Sequence, residues 1–147
     1  MGLAEAVAIG ALVVWLAALA AIDLRTHVLP NALVYPGILA ALAASPLLPA
    51  DGYIMSVAGG AAAFGALAVL YFVRPGVIGG GDVKLAALIG FALGPIGGPV
   101  ALVIAPVFAS AVALPMLATR RWTLKARFPY GPYMCAAAAL VAVLAAL

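Results

Sequence analysis

The sequence predicts an all-α, polytopic membrane protein of about six transmembrane helices, in a single membrane-embedded domain over residues 1–147. Three observations carry that expectation. The first is the scarcity of charge: 69% of the residues are hydrophobic and 7% are charged, with a mean hydropathy of +1.32. A water-soluble domain is roughly half apolar and about a quarter charged. So few charges leave lipid as the solvent. The second is the length of the uncharged runs, and the third is the side on which the basic residues fall.

Taken in order, 17 uncharged residues lie between Glu5 and Asp23, 23 between His27 and Asp51, 22 between Asp51 and Arg74, and 20 after Arg127. A spanning helix needs roughly 17–25. The N-terminus lacks a basic segment, so the first run reads as a retained span and not as a cleaved signal. The run from Lys84 to Arg120 holds 35 residues. As one helix it would be about 52 Å long, against a hydrocarbon core of about 30 Å. Its middle reads Gly94-Pro95-Ile96-Gly97-Gly98-Pro99, strong turn punctuation, and divides it into two spans. Pro106 and Pro115 are expected to bend the fifth. With six spans, Arg25, Arg74, Lys84, Arg120, Arg121, Lys125 and Arg127 all fall on one side, and Glu5 and Asp51 on the other. The positive-inside rule makes the basic side cytosolic and both termini external. One cysteine, Cys135, and one histidine, His27, exclude an internal disulfide, a Cys-x-x-Cys zinc site and a His-Glu-x-x-His helix. No metal, cofactor or nucleic-acid partner is expected. The bilayer is the expected surrounding, and no feature specifies a homo-oligomer.

Asp23 closes the first span and Asp82, behind Gly79-Gly80-Gly81, opens the fourth. They are the acidic residues of the basic side. Each has an ordinary reading, Asp82 as a helix N-cap and Asp23 as a solvated partner of Arg25. Together they form a costly pair of ionisable groups at the membrane edge, which points to function. Two carboxyls on one side can share a proton and activate water. The glycines would admit a substrate backbone or a neighbouring helix close to Asp82, or would simply form a flexible loop. Asp82 lies at a helix N-terminus and Asp23 at a helix C-terminus. Helix dipoles therefore predict Asp82 as the more ionised base and Asp23 as the protonated acid. Lys84 either stabilises the Asp82 anion or serves only as a topology charge. Ser45, Ser56 and Ser110 lack a Gly-x-Ser-x-Gly setting.

Three motifs in order resemble those of the type IV prepilin peptidases, membrane aspartic proteases with a Gly-x-Gly-Asp signature. They are Asp23 followed by Leu29-Pro30-Asn31, then Gly79-Gly80-Gly81-Asp82-Val83-Lys84-Leu85, then Phe128-Pro129-Tyr130-Gly131-Pro132. The resemblance implies cleavage of prepilin or pseudopilin leaders at the cytosolic face of the inner (plasma) membrane. Asp23 and Asp82 would be the catalytic pair. Pro30, Asn31, Gly79, Gly80, Gly81, Lys84, Pro129, Gly131 and Pro132 would shape the site or bind substrate. Longer members add a cytosolic zinc-binding segment and methylate the new N-terminus; the chain looks like the short, peptidase-only form. Arg25, Arg120, Arg121, Lys125 and Arg127 are candidate partners for a substrate glutamate, although topology also explains them. Three other readings use the same residues. A small ion-coupled transporter or channel subunit suits broken helices and paired aspartates, but would hold the pair at the bilayer midplane. A non-enzymatic pilus or secretion assembly protein would use the aspartates structurally. A presenilin-type protease would carry Tyr-Asp where this chain has Ile22-Asp23.

Overall fold

The computed structural model describes residues 2–119 and 129–147. Arg120, Arg121, Lys125, Arg127 and Phe128 lie outside the described residues. The described chain is helical: α1 (Leu3–Thr26), α2 (Asn31–Ala43), a 3-10 turn (Ser45–Leu47), α3 (Tyr53–Val73), α4 (Gly80–Ala118) and α5 (Gly131–Ala145). By length and composition, α1, α3 and α4 can each cross a membrane, whereas α2 and α5 are shorter apolar helices. The apolar run after His27 is thus longer than its helix. Helix α2 has 13 residues, about 20 Å, because Ser45-Pro46 and Pro49 end it. A proline removes a backbone donor and biases the residue before it away from α geometry.

Helix α4 contains the turn expected from its glycines and prolines. Gly94 has φ 74 and ψ −172, a region open essentially to glycine alone. In a continuous helix residues 90 and 98 would be about 12 Å apart. Instead, a Cβ on Gly98 would come within 2.9 Å of the Gly90 Cα. The chain therefore folds back at Gly94, which brings Gly98 against Gly90. The described residues form six apolar helical segments. Residues 95–118 keep helical dihedrals through Pro99, Pro106 and Pro115.

The reversal strands the Phe91 carbonyl, and neighbouring segments bond it and the Ala92 carbonyl beside it. Pro95 has no N–H to offer the Phe91 carbonyl, its partner four residues back. Ser56 Oγ, from α3, donates to that carbonyl at 2.6 Å. The Ala92 carbonyl accepts the Ala50 N–H at 3.1 Å. Such repair is what allows a broken helix in an apolar medium. Helices α3 and α4 come close enough for this because their crossing is made of glycine. A Cβ on Gly59 would overlap the Gly90 carbonyl, and one on Gly60 would meet the Phe91 ring. Close backbone approach maximises dispersion contact, which drives helix association where lipid removes the hydrophobic effect.

Glu5, Asp51, Pro46 and Ala146 line one cavity at one end of the bundle. The opposite end gathers the last turn of α1 and the first turns of α2, α4 and α5. Arg25 lies in the last turn of α1, Arg74 caps the end of α3, and Lys84 lies in the first turns of α4.

Replacing Ser56 by alanine strands the Phe91 carbonyl in a buried position, and should lower stability by about 1–3 kcal/mol. Thermal unfolding in detergent measures this. Ser110→Ala is the matched control, since that hydroxyl bonds only the Val107 carbonyl of its own helix and should be near neutral.

Candidate functional site

Asp23 lies in the last turn of α1 and is 5% exposed. The helix ends four residues on, where His27 takes a left-handed conformation (φ 52) and returns its N–H to the Asp23 carbonyl at 2.8 Å. Thr26 Oγ1 closes the same turn, donating to the Ile22 carbonyl at 2.9 Å and accepting the Val28 N–H at 3.3 Å. The chain then turns sharply, and Leu29 points back into the bundle, where it is 7% exposed.

Asp82 is the third residue of α4, not its cap. The cap is Gly79, whose N–H reaches Asp82 Oδ2 at 3.3 Å. This corrects the N-cap expectation: the carboxylate serves the reciprocal half of a capping box. The two aspartates are close enough to interact electrostatically.

Leu29 is the piece that joins these ends. A Cβ on Gly81 would come within 3.2 Å of the Leu29 Cβ, and a Cβ on Gly131 within 3.5 Å of its Cδ1. The same Cβ on Gly131 would come within 2.5 Å of Asp23 Oδ2. Gly131 is the first residue of α5, and its N–H faces the Asp23 carboxyl. Glycine here lets the α5 backbone contact a carboxyl directly. One consequence revises the dipole argument. Asp23 belongs to a helix C-terminus by sequence, but its carboxyl faces the N-terminus of α5. Both carboxyls meet helix N-termini, so helix ends no longer separate their roles.

The other residues singled out in the sequence divide. Pro30 precedes α2 and Asn31 begins it. Lys84 Nζ donates to Asn31 Oδ1 at 2.9 Å and sits 5.4 Å from the Tyr35 ring centroid. Pro132 occupies the first turn of α5, and Pro129 is half-buried just before it. Gly80 has open space where a side chain would be. Ser56 and Ser110 use their hydroxyls on backbone carbonyls. Two neighbours of the pair were not singled out. Tyr130 precedes α5, and burial, with the Asp82 charge second, pushes its phenol pKa above the ordinary value. It therefore stays a hydrogen-bond donor. Cys135, 2% exposed and one turn into α5, is within electrostatic reach of both aspartates. Tyr130 stood in the third motif; nothing local marked Cys135.

Residues 10–114 match the model of the type IV leader peptidase family. This chain belongs to that family. The match includes Asp23, Asp82 and the first two motifs, and it ends before the third. A prepilin leader peptidase/N-methyltransferase of Bacillus subtilis (strain 168) is 38% identical over 72 residues, which is 49% of this chain and 29% of that protein. No solved structure matches.

In this leader peptidase family member, Gly131→Ala should displace the Asp23 carboxyl. The side-chain carboxyl resonance of Asp23, read by NMR in detergent, should then shift from its wild-type position. The unfolding temperature in detergent should hold. Gly10→Ala, where nothing lies within 4 Å of the added atom, should leave both unchanged.

Proposed function

We propose that the chain is a membrane aspartic endopeptidase that cleaves the leader of prepilin or pseudopilin substrates at the cytosolic face of the inner membrane. The observation that carries this reading is the packing of the helix ends that bear Asp23 and Asp82 through Leu29, Gly81 and Gly131, in a member of the type IV leader peptidase family. Two carboxyls within electrostatic reach disfavour double ionisation, so one can hold a proton while the other is the anion. One, as the anion, deprotonates water. The other, protonated, polarises the scissile carbonyl, and the proton then passes to the leaving amine. The two titrate as a pair, so either can take either role. Gly81 and Gly131 let the α4 and α5 backbones close on Leu29 and the Asp23 carboxyl, which fixes the helix ends that carry the pair. Tyr130, protonated and beside Asp82, is placed to donate to a substrate carbonyl.

The same reading treats the six apolar segments as six spans. Arg25, Arg74 and Lys84 share the aspartate end, and Glu5 and Asp51 lie at the other. The positive-inside rule then makes the aspartate end cytosolic and puts both termini outside. The site's place at the end of the bundle argues against ion transport, which would use the midplane.

Asp23→Asn and Asp82→Asn should each reduce cleavage of a co-expressed prepilin by about 10²–10⁴-fold, the usual contribution of a positioned acid or base. Both proteins should remain in the membrane fraction. Either variant cleaving at the normal rate would sink the two-carboxyl mechanism. Sidedness has its own check. A cysteine placed at Val77, which is exposed, should react with a membrane-impermeant maleimide in inverted vesicles but not in intact cells.

A further inference from the structure

The link from α1 to α2 meets the first turns of α4 twice. Leu29 packs on Gly81, and Asn31 receives the Lys84 ammonium, which also lies over Tyr35, one turn further along α2. Asp82 stands between Gly81 and Lys84 in sequence, so these two contacts bracket it. Their direction matters. Residues two apart on an α-helix point about 200° from one another and do not face. Lys84 therefore presents its charge to α2, while the Asp82 carboxyl turns back to the Gly79 N–H.

We propose that Lys84, Asn31 and Tyr35 form a latch that holds the first turns of α4 against α2 and so sets the position of Asp82 relative to Asp23. This rests on the peptidase reading above. Lys84 is a positioning residue, acting through backbone placement and not as a counter-ion to the dyad. The chemistry suits the task. An ammonium with a side-chain carbonyl on one side and an aromatic face on the other is held from two directions. Asn31 is the first residue of α2, directly after Leu29-Pro30, so the latch continues the wedge that Leu29 makes among α1, α4 and α5. The interaction is surface-exposed. It orients one helix end, and the fold does not depend on it.

A double-mutant cycle in detergent-solubilised protein with a prepilin substrate tests the latch. Lys84→Met and Asn31→Leu should each lower kcat roughly ten- to hundredfold, because small misplacements of catalytic groups have effects of that size. KM and the unfolding temperature should hold. The double variant should be no worse than the weaker single, as expected for partners in one interaction. Asn31→Asp keeps the acceptor oxygen and should restore most of the rate. The pH profile of kcat/KM should keep its limbs in Lys84→Met. The latch is overturned if Asn31→Leu is normal while Lys84→Met is impaired, if the losses multiply, if the pH limbs move, or if both singles cleave normally.

A second measurement reads the latch without cleavage. Spin labels on cysteines at Ala32 and Val77, both exposed, report the spacing of α2 and the approach to α4. Cys135 is buried and should stay unlabelled. The distance distribution should broaden in Lys84→Met and Asn31→Leu and stay narrow in Asp23→Asn; unchanged distributions in the first two would remove the latch. Cleavage by Asp23→Asn would instead remove the peptidase reading, and the label distances would still decide the latch.

Discussion

The structure depends on backbones that approach more closely than side chains would allow. At Gly59 and Gly90 the α3 and α4 backbones touch, and at Gly131 the α5 backbone touches a carboxyl. In lipid, association cannot draw on apolar burial in the way a soluble core does, so dispersion contact and satisfied polar groups must hold the bundle. The α3–α4 crossing serves both needs. It brings Ser56 to the carbonyl that Pro95 leaves without a donor, which makes the reversal at Gly94 tolerable. That reversal lets the chain return toward the end of the bundle where α4 began.

The carboxyl pair is the counterpart of that economy. Ionisable groups at the membrane edge are expensive; Asp23 has the His27 side chain within electrostatic reach as well as a backbone N–H, and Asp82 has a backbone N–H. Gly131 supplies one to Asp23 and Gly79 one to Asp82. Backbone donors at helix N-termini are rigid and need no counter-ion. Lys84, the basic residue nearest Asp82 in sequence, spends its charge on Asn31 and Tyr35.

The family match and the geometry draw on different parts of the chain. The match runs over residues 10–114, whereas the Asp23 carboxyl meets Gly131, in α5. Gly131 has a physical reason for its identity that requires no relative: a Cβ there would collide with Asp23 Oδ2. The third motif thus acquires a role from contact, in closing the site against α1.

Much of this was legible in one dimension. Charge scarcity and uncharged run lengths determined an all-helical chain suited to lipid, because both are local properties of composition. The glycines and prolines at 94–99 located the reversal, because a break in helical dihedrals is set by the residues that make it. The ends of α2 were less legible: hydropathy continues past Ala43, while Ser45-Pro46 stops the helix, and apolar content carries no information about dihedrals. The two aspartates could be singled out because charge at a membrane edge costs free energy wherever it occurs. Their sharing of one end of the bundle, the wedge of Leu29 between Gly81 and Gly131, the facing of Asp23 to the N-terminus of α5, and the bond from Lys84 to Asn31 were decided by tertiary structure alone. Each joins residues far apart in the chain, and which helix ends share a corner depends on how the segments pack, a property that no local pattern of residues contains.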